Sequence, residues 1–150
     1  MRTFGANVFA SPNQVVKRAI FLSTACVGDR VSVAGPDGLA AMVALCREGF
    51  DRVECARQAT CGGADDVSDV MLIVGPMDSE DLTATVRRTA RLLRDGGRLV
   101  VQLMRAGDDP KVRAVLASMG VTVTATLIDR SCGRLATYTV RRPAALRRAS

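Results

Sequence analysis

Apolar and polar positions alternate along this chain in blocks of two different periods. Ser11-Pro12 opens a helical stretch that runs to about Ala25, with Ser11 as N-cap and Pro12 at the first helical position. "RVSVA" (30–34) reads as a first strand, Gly35 to Gly38 as a turn, and 39–48 as a helix ended by Gly49. Leu39, Met42, Val43 and Cys46 recur at helical spacing and are taken as that helix's inward face. "FDRVECA" (50–56) reads as a second strand, followed by the polar interval 57–68. "DVMLIVG" (69–75) and "RLVVQLM" (98–104) are nearly continuous apolar runs, as in strands covered on both faces of a parallel sheet. Between them a helix spans about 79–94, capped by Asp78 or Ser79 and broken by "RDGG". Asp108 and Asp109 open a last helix that Gly120 closes. Two strands follow, 121–128 and 134–141, joined by a link of hairpin length that makes them antiparallel.

Strand and helix alternating over short connections predict an open, mostly parallel sheet with helices on both faces. The expected organisation is a helical segment 1–29 packed on the core, one α/β domain over 30–142, and a basic tail over 143–150. At 150 residues and 48% hydrophobic, the chain suits a single domain with one sizeable core.

Composition narrows the chemistry. There is no histidine, which removes a His general base, a Ser-His-Asp triad and every His-containing metal site. No metal site is expected. Aromatics are too few for stacking platforms that hold single-stranded nucleic acid. The net charge of +6 comes mostly from arginine, Lys17 and Lys111 being the two lysines. Arg87, Arg88, Arg91 and Arg94 fall within two helical turns, with 87, 91 and 94 on one face, and Arg141, Arg142, Arg147 and Arg148 lie near the end. Such groups track phosphates in nucleic-acid-binding proteins; here a solvated helix face and a soluble tail are expected. Cysteines at 26, 46, 55, 61 and 132 form no CxxC pair. Cys26, Cys46 and Cys55 lie in apolar surroundings and are read as small core residues in a reducing cytoplasm. "KRAIFLSTACVG" (17–28) is too short and too late for a targeting or spanning segment and is read as a buried helix.

Several stretches resemble the class I S-adenosylmethionine (SAM)-dependent methyltransferases. "GDRVSVAG" is similar to that family's approach to its glycine-rich loop, "DVMLIVGP" to its fourth strand, and "TARLLRDGGRLVVQL" to its helix, Gly-Gly turn and fifth strand. "SMGVTVTATLIDRSCGRLATYTVRRP" is similar to its closing hairpin. The likeness implies a three-layer Rossmann-like α/β fold with SAM held at Gly35, Pro36, Asp37, Gly38, Glu54 and Gly75.

The departures from the family pattern imply a degenerate, shortened version. Ser32 stands where the family carries an acid, and of the Gly-x-Gly-x-Gly loop only Gly35 clearly matches. The ribose-binding acid would fall at Ala56 or Arg57, leaving Glu54 as the nearby carboxylate. The interval 57–68 leaves no room for the family's third strand, so that strand is expected to be missing. Asp65 and Asp66 within it are candidates for an adenine amino group or simply solvated acids. Gly75-Pro76-Met77-Asp78 lacks the aromatic of amino-group methyltransferases, and no catalytic residue is assigned. Three readings stay open: a non-catalytic binding or regulatory module with SAM affinity weak or lost, a minimal methyltransferase acting on a small molecule with Phe4, Phe9 and Phe21 over the substrate or in the core, and a nucleic-acid-binding protein. Without a third strand, the second lies at a sheet edge, so a homodimer through residues 51–57, or a protein partner there, is expected.

Overall fold

The computed structural model describes residues 11–56, 68–131 and 134–142. Helix α1 spans Pro12–Ser23, β1 Val31–Ala34, α2 Gly38–Arg47, β2 Val53–Cys55, β3 Ser68–Ile73, α3 Ser79–Thr89, β4 Leu93–Leu103, α4 Asp108–Ser118, β5 Thr122–Asp129 and β6 Arg134–Arg141. The strands form one sheet in the order β2-β1-β3-β4-β6-β5. β2, β1, β3 and β4 run parallel, and β6 runs antiparallel to both β4 and β5. This is the mostly parallel, Rossmann-like α/β sheet with an antiparallel C-terminal pair that the alternating pattern predicts.

Successive side chains of a strand point to opposite faces, and the core divides accordingly. Val70, Leu72 and Val74 pack with Val15, Val16 and Ala19 of α1 and Ala41, Ala44 and Leu45 of α2. Met71 and Ile73 pack with Leu82 and Val86 of α3 and Val112, Val115 and Leu116 of α4. Both faces of β3 and β4 are covered, which is why those strands read as unbroken apolar runs.

Local signals fix the helix starts. Ser11 makes a full capping box with Gln14, and Pro12 occupies the first turn of α1. Asp78 caps α3, its Oδ1 accepting from the Asp81 N–H at 2.8 Å. Three sequence expectations need correction. The inward face of α2 is Gly38, Ala41, Ala44 and Leu45, whereas Leu39, Val43 and Cys46 are exposed. Small residues let this helix lie close to the sheet, so its larger apolar side chains face outward. Cys26 is also exposed, and α1 is amphipathic rather than buried, with Phe21 68% exposed. α3 ends at Thr89, five residues early, because one turn of 3-10 helix leads straight into β4. "RDGG" therefore lies within β4, in an irregularity where Gly96 takes φ +80°. Arg94 consequently leaves the supposed arginine face and pairs with Asp69. No helix among the described residues is long and apolar enough to cross a membrane.

Candidate functional site

The sheet order reverses between β1 and β3, and in open α/β sheets ligands collect at the C-terminal strand ends beside such a switch point. β1 delivers the chain there to Gly35, with φ +96°. A Cβ on Gly35 would sit 2.3 Å from the Val74 carbonyl oxygen. Gly75, with φ +110°, faces back the same way, and its Cβ would lie 2.7 Å from the Asp37 nitrogen and 3.0 Å from the Pro36 ring. The loops after β1 and β3 are thus packed backbone to backbone. Both glycines are required by that mutual approach.

This packing engages two of the N–H groups that a phosphate- or cofactor-cradling loop would present. The Asp37 N–H donates to the Val74 carbonyl at 3.1 Å, and the Gly38 N–H to the Gly35 carbonyl at 3.0 Å. Pro36 has no N–H. The Gly75 N–H, buried, donates to Gln102 Oε1 at 2.9 Å. The Asp37 side chain makes no capping bond to α2, leaving the first turn of that helix without a side-chain cap.

Above this pair of loops lies a cleft of about 430 Å3. Its floor is Val33, Ala34, Gly35, Pro36, Gly38 and Leu39, with Cys55 at the β2 side. Its other wall is α3, which contributes Asp81, Ala84, Thr85 and Arg88, with Met77 leading into it. The α3 spacing i, i+3, i+4, i+7 places all four on one stripe. Asp81 and Arg88 set a carboxylate and a guanidinium about 10 Å apart along that wall.

Of the six residues expected to hold a cofactor, Gly35, Pro36 and Gly38 line this cleft. Asp37 and Gly75 are not among its lining residues; they approach one another in the loop packing. Glu54 is not brought in. It is exposed, sits in register with Ser32, and lines a separate groove of about 480 Å3 with Arg30, Asp51, Arg52 and Ser68. β2 is only three residues long, and the side chain it turns into the cleft is Cys55, one position on. Ala56, where a ribose-binding acid was sought, is buried in the core. Ser32, in place of the family's acid on the first strand, is buried with its Oγ 2.5 Å from Ser68 Oγ. Arg57, Asp65 and Asp66, the wider interval 57–67, Cys61, Cys132, Phe4, Phe9, Arg147 and Arg148 lie outside the described residues.

Neither a family model nor a curated protein matches the chain. Solved structures do. A sugar N-methyltransferase from Streptoalloteichus superposes with a TM-score of 0.58 at 15% identity, over 90% of this chain and 88% of its own. A SAM-dependent O-methyltransferase from Thermotoga maritima gives 0.57 at 12%, over 87% and 65%. A cofactor-bound protein from MTB gives 0.51 at 22%, over 89% and 83%. The chain has a Rossmann-like methyltransferase fold. At these identities the likeness carries the fold alone, so the chemistry of this cleft rests on its own residues.

The α3 wall is the part of the site that sequence reasoning missed. Arg88 is exposed, as a solvated arginine face requires, and it also lines the cleft. The stripe Asp81–Ala84–Thr85–Arg88 was the available signal, since it flanks the buried positions Leu82 and Val86.

Proposed function

We propose that this protein is a methyltransferase-fold binding or regulatory module whose cleft takes SAM, or its demethylated product, weakly and without transferring the methyl group. The observation that carries this reading is the hydrogen bonding of the Gly35–Gly38 loop. The cleft has the place and volume of a small-ligand site, but the N–H groups of Asp37 and Gly38 are spent within the protein. Among the described residues, β2 brings no carboxylate to the cleft for the ribose hydroxyls, because Glu54 belongs to the other groove. The residues present therefore fit the apolar body of such a ligand and one charged end beside Asp81 or Arg88. They do not fit the full set of polar contacts. Exposed thiols at Cys26 and Cys46 accord with a reducing compartment.

Isothermal titration with SAM and with S-adenosylhomocysteine tests the reading. The expected Kd is in the high micromolar to millimolar range, about −4 to −6 kcal/mol. Heat that saturates at nanomolar to low micromolar ligand would refute weak binding; no heat at ten-millimolar ligand would refute binding.

A minimal methyltransferase acting on a small molecule is the second reading. It is favoured by Asp81, a carboxylate on the cleft wall able to accept a proton from a substrate amine or hydroxyl. Methyl transfer from labelled SAM to a panel of small amines and phenols, abolished in Asp81→Asn, would select it over the first.

A further inference from the structure

We infer that the protein self-associates through β5, two copies pairing antiparallel about a two-fold axis at Leu127 to make one continuous sheet. The sequence directs attention to the opposite edge at 51–57, but β2 offers only three residues to a partner. β5 has eight, Thr122–Asp129, and among the described residues it ends the sheet beyond β6.

An exposed strand edge presents unpaired N–H and C=O groups and needs protection. Lysine and proline are among the usual devices, and β5 has neither: its sequence is Thr-Val-Thr-Ala-Thr-Leu-Ile-Asp, and its one irregularity lies between Val123 and Ala125. Its single charge, Asp129, is already held by Arg18 in a two-pronged pair at 3.0 Å for each bond. The strand instead exposes apolar side chains on both faces, Leu127 at 50% and Ile128 at 40%. Phe21 extends the patch on the α1 side, since the Arg18 guanidinium lies 5.0 Å from its ring while holding Asp129.

Strand geometry selects the register. The pairing of β5 with β6 is irregular between Val123 and Ala125 and regular from Ala125 to Asp129. Leu127 is the midpoint of that regular run. Facing residues of an antiparallel pair must point to the same side, and a two-fold at Leu127 satisfies this throughout. Leu127 then faces Leu127, Thr126 faces Ile128, and Ala125 faces Asp129. The irregular segment stays outside the shared ladder. The two Arg130 side chains end up about 20 Å apart, at 3.3 Å per residue, so no like charges oppose one another. A neutral, self-complementary edge of this kind fits a second copy better than a charged peptide. Five facing pairs fall short of the ~800 Å2 per partner of a standard interface, so the association is weak and concentration-dependent.

Sedimentation equilibrium across roughly 10–300 μM protein is the test. The wild-type mass is expected to rise toward that of a dimer within this range. Leu127→Lys sets two ammonium groups face to face on the axis and is expected to weaken association at least tenfold. Val43→Lys, equally exposed on α2, is expected to leave it unchanged. Leu127→Cys is expected to form an oxidised cross-link above the background of the native cysteines, while Thr124→Cys does not. A wild-type mass fixed at the monomer value would overturn the proposal. So would association that Leu127→Lys leaves intact, or cross-linking equal at 124 and 127. Unchanged thermal melts of the diluted variants keep misfolding from imitating any of these results.

Discussion

Replacing Gly35 with alanine tests the packing of the two loops most severely. The methyl group would sit 2.3 Å from the Val74 oxygen and 3.1 Å from both the Val74 carbon and nitrogen. These are backbone atoms just past the end of β3, so the clash has no side-chain rotamer to absorb it. The backbone at φ +96° adds strain of about 1–2 kcal/mol for a residue with a Cβ. Relieving the clash separates the strand ends and weakens two hydrogen bonds, Asp37 N–H to Val74 carbonyl and Val74 N–H to Ala34 carbonyl, each worth about 0.5–1.5 kcal/mol. The total is about 2–5 kcal/mol, or a fall of roughly 4–20 °C in Tm for a domain of this size. Gly38→Ala is the matched control. Its Cβ would meet nothing closer than 3.8 Å, at Val33. That substitution is expected to be neutral or to stabilise by about 0.4–1 kcal/mol through the unfolded chain. Urea denaturation followed by circular dichroism measures both. A Gly35→Ala cost below about 0.5 kcal/mol, or equal costs at 35 and 38, would refute the reasoning.

Three further outcomes are expected. Gln102→Leu leaves the buried Gly75 N–H without its acceptor and is expected to cost about 1–3 kcal/mol in the same denaturation assay. Asp129 is held down at about 2, first by the Arg18 guanidinium and then by the Ser131 hydroxyl. Its contribution is therefore complete above its ordinary 3.8 and lost as pH falls toward 2. Solvent screening limits it to about 1 kcal/mol; the stability gap between wild type and Asp129→Asn should close between pH 4 and pH 2. Tyr138→Phe removes a buried phenol that donates to Asp109 at 2.5 Å. Burial and that carboxylate hold the phenol far above its ordinary range, so Tyr138 stays neutral. The expected loss is about 1 kcal/mol, without change in the unfolding profile between pH 6 and pH 9.

The sheet was legible because its strands follow simple rules. "DVMLIVG" and "RLVVQL" are apolar without alternation, which marks strands covered on both faces, and the short link before Arg134 left β6 only an antiparallel course. Asp78 and Ser11 announced their helices through the hydrogen bonds their side chains make. The site was less legible. Gly35 looked like a residue kept small for a ligand, yet the group that needs its space is the Val74 carbonyl, 39 residues away in the chain. A motif reading sees neighbours in sequence and misses such a contact. The inward face of α2 escaped for a related reason: alanine and glycine carry weak hydrophobic signal, so Leu39 and Val43 outweighed them. Arg88 was hidden among arginines of the same helix, and only the position of α3 over the loop turns it toward the cleft.

The most direct test of the central claim is a titration of 15N-labelled protein with SAM, read as amide chemical-shift changes residue by residue. The account predicts fast-exchange shifts at Gly38, Leu39, Cys55, Ala84 and Arg88, absent in Ala84→Trp, where the indole fills the cleft from an exposed helix position. Amides around Glu54 and Arg52 should stay still. Shifts centred on that second groove, or shifts that survive Ala84→Trp, would contradict the assignment of the cleft as the binding site.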